Sequence, residues 1–450
     1  MHPDEAAKST RQVSSPDVAA SSGMAVQDPR VIRPMQRADL ISTLHRLQEL
    51  LVLGIAAAYS AGHAAVGLAL LLVPVAAEGI MSRRLPWRRG PLDAYLLAFT
   101  MVLAVSGLLS PYRSVATGSA VLAGLTIYLA FGVSYRILTR DRRFLQVLLW
   151  IWYAGGVGAA LVAVYSFVVN GGPQAAVPAL GPNALGSTLA IVLVVGLGLT
   201  LSAAVRVRYA AIAGGVVIAL ALALTLSRGA WIGAAIGLIM LLVLARPRRS
   251  ARADPADAGS RRVWPLLALA AGVIVTLALV GGEAAVLRKK VLSIPNLFKN
   301  RERVYLARSA LAIAADHPVL GSGLNTFVLI HPHPSVAAEA PAQKPRTRTQ
   351  SFAHNVFLNM AAESGVLGLA SFAALLIRGA AGGWRWYRGA VGRDRITSAT
   401  VASAFVALLV HQQFDGTILS VHLSVGLWLL LAIMMAGEPP SRSARGTPGP

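Results

Sequence analysis

Arg228 lies in TLSRGAW, a turn of a few residues between two apolar runs, where a guanidinium is costly unless it snorkels to the lipid headgroups or meets an anion. A second basic feature is the segment 283–353. It carries Arg288, Lys289, Lys290, Lys299, Arg301, Arg303, Arg308, Lys344, Arg346 and Arg348 against Glu283, Glu302, Asp316 and Glu339. Arginine suits bidentate contacts to phosphate oxygens, so a phosphate-bearing partner is the natural expectation; the plainer reading is that these cations rest among headgroups. His354 then opens the next apolar run in SFAHNVFLNMAAESG. A neutral imidazole there can take a proton from a hydroxyl near neutral pH, whereas the plainer reading is a polar anchor at the interface.

Other polar residues carry weaker signals. Glu363 sits within an apolar run, as functional acids in membranes do, but it follows His354 by nine positions. At ~100° per residue that places it on the opposite helical face, which favours interhelical hydrogen bonding over a shared site. His411 and Asp415 stand one turn apart and read as a structural pair. His331 and His333 read as anchors, and His317 as a helix-end residue. No GxxxxGK[ST], HExxH or GxSxG motif occurs, and no outward acidic cluster suits a metal. With zero cysteines, disulfides and cysteine-based zinc or nucleophile chemistry are excluded too. The driving energy then has to come from the substrate, as it does for a phosphate-activated lipid donor.

The elements that position these residues are apolar. Of 450 residues 55% are hydrophobic and only 13% charged, too apolar and too long for one soluble core. The expected class is an all-α integral membrane protein with about twelve spans, near 44–60, 64–81, 92–110, 115–135, 144–169, 184–203, 209–226, 229–245, 264–282, 355–377, 397–413 and 417–436. The net charge of +22 falls mainly in alternate short gaps, the pattern that orients membrane helices, so nucleic acid is not an expected partner. Both termini are then cytoplasmic. The division that follows is a disordered tail at 1–36, spans at 37–282, an outward loop at 283–353, spans at 354–437 and a second tail at 438–450. Within the loop, NRERVYLARSALAIAADHP predicts a helix that carries Val304, Ala307, Leu311 and Ala314 on one face and stops at Pro318. A GSG turn at 321–323 and an irregular Pro/His-rich segment at 331–350 follow.

Three stretches, TLSRGAWIGAAIGLIMLLV (225–243), NRERVYLARSALAIAADHPVLGSGLNTF (300–327) and AHNVFLNMAAESGVLGLASFAALL (353–376), together resemble the O-antigen ligase and polymerase family of bacterial membrane glycosyltransferases. The resemblance implies a GT-C-like, metal-independent, inverting enzyme of the inner membrane with its active site on the periplasmic side and no cofactor. It implies an undecaprenyl-diphosphate-linked glycan as donor, a glycan or glycolipid acceptor such as a lipid A core or another repeat unit, and membrane lipids as surroundings. His354 matches the family's catalytic histidine, Arg228 its SRG arginine, and Arg301, four residues before Tyr305, its second diphosphate arginine; Arg303 competes with Arg301 across the R-E-R repeat. Asn183 in GPNALG resembles an outward P-N element, and Asn355 and Glu363 belong to the H-N and E-x-G elements as supporting residues. Ligase, polymerase and protein O-oligosaccharyltransferase share these features and differ in acceptor. A secondary transporter or flippase is the alternative of another class.

Overall fold

The computed structural model describes residues 37–171, 173–246, 292, 301–339 and 352–439, and among them the chain is helical throughout, with no strand. The expected tail at 1–36, the second tail apart from Glu438 and Pro439, the run at 264–282 and the loop's lysines Lys289, Lys290, Lys299 and Lys344 lie outside the described residues. Every other expected apolar run coincides with a helix. In chain order these are α1 (Arg37–Tyr59), α2 (Ala64–Ser82), α3 (Asp93–Leu109), α4 (Arg113–Thr126), α5 (Ser134–Arg140), α6 (Arg143–Asn170), α7 (Pro182–Ser202), α8 (Val205–Leu224) and α9 (Arg228–Leu244). There follow α10 (Arg301–Asp316), α11 (Phe327–Ile330), α12 (Val356–Gly389), α13 (Gly392–His411) and α14 (Val421–Gly437). A π-helical stretch, Ile127–Val133, joins α4 to α5 into one rod. Seven helices among the described residues, this rod counted once, are long and apolar enough to cross a membrane, and α3, α9 and α14 are shorter apolar helices. Such a set fits a multi-pass membrane protein.

The bundle is organised around α7. A helix apolar on every side has to be surrounded, and all residues of α7 from Leu185 to Thr200 are buried against α6, α8, α9 and α13. Small residues let the neighbours close in: a Cβ on Gly233 of α9 would lie 2.6 Å from the Ala407 carbonyl oxygen of α13. The N-terminal ends of α7 and α9 and the C-terminal end of α13 are thereby gathered at one end of the bundle.

Helix α10 is the predicted loop helix, and it ends before Pro318 as expected. Its buried face is a different one from the face anticipated. Leu306, Ser309, Ala310 and Ile313 point inward while Val304 and Leu311 are exposed, because alanines flank both sides and leave the stripe ambiguous by about half a turn. Leu306, Ala310, Ile313, Phe327, Ala353 and Ala362 make a small core of their own. Burying the large members contributes about 1.5–3 kcal/mol each to docking the loop.

The docking is completed by a break in α12. At Gly365 (φ 63°, ψ −166°) the helix leaves its path, and the freed backbone pairs with the segment after α10: Val366 N–H donates to Pro318 O at 2.8 Å and Gly323 N–H to Glu363 O at 2.8 Å. The Glu363 carboxylate accepts from Phe327 N–H at 2.9 Å. Ser106 of α3 closes the arrangement by donating to Leu320 O at 2.6 Å. Glu363 therefore ties loop to helix rather than helix to helix. The helical-face comparison with His354 does not apply, since His354 precedes the first turn of α12.

A side chain at position 365 would need a backbone region open almost only to glycine and would meet the Val319 carbonyl group. Gly365→Ala is expected to cost at least ~1–3 kcal/mol, read as a lower thermal unfolding midpoint or loss of monodisperse protein in detergent. Gly118→Ala, where the added carbon has nothing within 4 Å, is the neutral control.

Candidate active site

A cavity of about 430 Å³ opens where these helix ends meet, and Asn183, Arg228, Arg303, His354, His411 and Asp415 line it. Each arrives from a different element. Asn183 stands in the first turn of α7 behind Pro182, and Arg228 is the first residue of α9. Arg303 comes from the first turn of α10. His354 precedes α12, His411 ends α13, and Asp415 lies in the turn between α13 and α14.

The cavity is built for an anion. No side chain caps α7 or α9, whose first-turn residues Pro182, Asn183, Arg228 and Gly229 line it, so N–H groups and the positive ends of two helices are presented there. Arg228 and Arg303 add two guanidinium groups. Burial, together with the nearby charge of Arg228, pulls Arg303 below the usual arginine value while Asp415 opposes the shift. An arginine remains protonated under such a shift, whose main cause is the loss of water around the guanidinium; among the neighbouring charges Asp415 and Glu302 favour the cation and Arg228 opposes it. Arg301 is exposed and does not line the cavity. Of the two arginines in R-E-R, the structure therefore brings Arg303 to the other residues and leaves Arg301 outside.

His354 Nδ1 lies 3.2 Å from Asp415 Oδ1, with side-chain exposures of 18% and 3%. Full burial would raise the Asp415 carboxyl. The hydrogen bond from His354, the charges of His354 and His411 and the Gly416 N–H outweigh that and hold it below the ordinary carboxylate value. An ionised Asp415 accepts, so Nδ1 of His354 carries a proton, and in the neutral ring the lone pair is on Nε2. Backbone geometry fixes the ring. His354 has φ 53°, in the left-handed region that non-glycine residues visit rarely, as does Leu226 (φ 54°) on the same cavity wall. Asn355 holds the strain in place: its Oδ1 caps α12 by accepting from Phe357 N–H at 2.9 Å and Leu358 N–H at 3.0 Å, and its Nδ2 donates to Gln413 O at 3.3 Å. Val356 N–H donates to Gln412 O at 3.1 Å. The start of α12 is thus stitched to the turn that bears Asp415. Asn355 supports the site without lining it, and Glu363 lines a different cavity.

That second cavity, about 440 Å³, lies beside the first and is mostly apolar, with Phe99, Leu103, Leu122, Phe372, Leu427 and Trp428 among its walls. Phe352 lines both cavities and packs edge-on against His354 with ring centroids 5.2 Å apart. Among the described residues no cluster of three or more His, Asp or Glu suits a metal ion. The arrangement supplies a base, an orienting carboxylate and a positively charged pocket, sufficient to deprotonate a hydroxyl beside a bound phosphate.

Sequence reasoning found Arg228, His354 and Asn183 and missed Asp415 and His411 as cavity residues. Local spacing pairs Asp415 with His411, and nothing in it links Asp415 to a residue 61 positions earlier. The faint signal was an acid in QQFDG at the outer end of an apolar run.

Residues 213–373 match the family model described as O-antigen ligase. The matched stretch runs from within α8 into α12 and includes Arg228, Arg303 and His354, whereas Asn183, His411 and Asp415 lie outside it. No curated protein matches the chain.

Asp415→Asn keeps an oxygen facing His354 Nδ1, because Gly416 N–H donates to the same atom at 2.8 Å, but removes the negative charge that favours a protonated His354 ring. Any reaction in which His354 acts as base should slow by on the order of 10²–10⁴-fold, with the protein still folded. Stability should change as well. A carboxyl whose folded value is depressed contributes stability that is present above its unfolded value and lost as pH falls through the folded one. Acid unfolding monitored in detergent should therefore be less steep in the Asp415→Asn variant than in the wild type.

Proposed function

We propose, from the premise that residues 213–373 give this chain the domain of the O-antigen ligase family, that it is an O-antigen ligase-type glycosyltransferase acting on the outward face of the bacterial inner membrane. It moves a glycan from undecaprenyl diphosphate to a hydroxyl of an acceptor glycolipid. The observation that carries this reading is that the His354–Asp415 pair, Arg228 and Arg303 line one cavity.

In this reaction His354 Nε2 takes the proton of the acceptor hydroxyl as its oxygen attacks the anomeric carbon. The new C–O bond forms as the bond between that carbon and the phosphate oxygen breaks, and the electron pair leaves with undecaprenyl diphosphate. One displacement inverts the anomeric centre. Arg228, Arg303 and the N-termini of α7 and α9 meet the charge that builds on the departing diphosphate. Positive charge comes from guanidinium groups and helix ends, so the proposal assigns no role to a metal ion. The neighbouring apolar cavity, joined to the first at Phe352, supports a lipid-linked donor, since an isoprenoid chain needs apolar walls within reach of the diphosphate pocket. A polymerase would use the same residues with a second lipid-linked repeat unit as acceptor.

His354→Ala and Arg228→Ala are each expected to abolish transfer in a purified assay with lipid-linked donor, lowering the rate by at least ~10²–10³-fold, while the protein remains monodisperse. Arg303→Ala should approach that loss and Arg301→Ala should not. Activity retained in either of the first two variants would sink the assigned roles.

A further inference from the structure

Among the described residues that line the charged cavity, His411 carries a buried side-chain nitrogen, Nε2, with no hydrogen-bond partner. The residue is 1% exposed. Buried polar groups are nearly always satisfied, so this one requires an explanation.

The protonation of the ring follows from its neighbour. Gln412 Oε1 accepts from Ile418 N–H at 3.1 Å, which only the oxygen end of an amide can do, so the amide orientation is settled. Gln412 Nε2 then donates to Thr417 Oγ1 at 2.8 Å and shares its second hydrogen between His411 Nδ1 at 3.3 Å and Ser187 Oγ at 3.4 Å. A ring nitrogen that accepts carries no proton. His411 is therefore neutral with its hydrogen on Nε2. His411 lines the cavity and Gln412 does not. The charged and titratable groups acting on it are Asp415, Arg303 and His354.

We infer that His411 is a substrate-binding residue whose Nε2–H donates to a phosphoryl oxygen of the donor. This rests on the reading of the cavity as a polyprenyl diphosphate site. A phosphoryl oxygen is the acceptor that fits, because Arg228, Arg303 and two helix N-termini converge on the same space. A neutral donor adds a hydrogen bond there without a third positive charge beside two guanidinium groups. The bond strengthens as the anomeric C–O bond breaks and charge collects on the diphosphate.

The test is equilibrium binding of undecaprenyl diphosphate to the purified full chain in lipid nanodiscs. His411→Phe keeps a ring but loses the donor, and should weaken binding on the order of 10–100-fold, the value of a hydrogen bond to a charged acceptor. His411→Gln, whose amide N–H reaches about as far as Nε2, should stay within ~3-fold of the wild type. Unchanged binding by His411→Phe overturns the inference. So does equal weakening by His411→Gln and His411→Phe when both unfold at the wild-type temperature. If His411→Phe fails to fold, His411→Leu, smaller and likewise without a donor, takes its place, and binding as tight as wild type in that variant overturns the inference in the same way. The underlying reading fails separately: Arg228→Ala and Arg303→Ala would then leave diphosphate binding unchanged, or the wild type would not bind at all. Loss in those two variants with His411→Phe unaffected sinks the role of His411 alone.

Discussion

The hydrogen bond between His354 and Asp415 joins the segment that leads into α12 to the turn between the last two helices, and the candidate site exists only if those two points are held together. A 3.2 Å contact between residues 61 positions apart does not hold itself. Its entropy cost is met by the stitching around it: the Asn355 cap, the bond from its amide to Gln413 O, and the bond from Val356 N–H to Gln412 O. These fix the backbone of both partners, so the left-handed conformation of His354 can be tolerated as one local strain in an over-determined junction.

A second layer of constraint lies behind this junction. Arg303 reaches the cavity only if α10 is docked, and α10 is docked by its small apolar face and by the break in α12 at Gly365. An unbroken helix would satisfy its own N–H and C=O groups and offer none to the loop. The break exposes them at the point where Pro318 and the glycine turn need partners. Glu363, buried in this crossing, is then best understood as the acceptor that fixes the start of α11.

What the sequence reveals and conceals here follows from range. Apolar runs, the helix at 301–316 and the turn at Arg228 depend on neighbours a few residues away, and all were legible. The choice between Arg301 and Arg303 was not, because two residues are ~200° apart on a helix and the alanine-rich stripe of α10 does not declare its phase. Glu363 was placed by assuming an unbroken helix, and the glycine two residues later removes that assumption. Asp415 and His411 enter the site through long-range packing of α13 against α7 and α9, which no local pattern encodes.

The two histidines facing the cavity illustrate how identical side chains are given different work. Asp415, an acceptor, holds the proton of His354 on Nδ1 and leaves Nε2 as a base. Gln412, oriented as a donor by Ile418 N–H, removes the proton from Nδ1 of His411 and leaves Nε2 as a donor. Acceptor behind one ring and donor behind the other favour opposite neutral tautomers within one cavity. In the proposed transfer this is the polarity needed: a lone pair where a hydroxyl must lose its proton, and N–H groups where a diphosphate must leave. On that proposal the residues behind the rings, more than the rings themselves, decide which histidine serves the acceptor and which the leaving group.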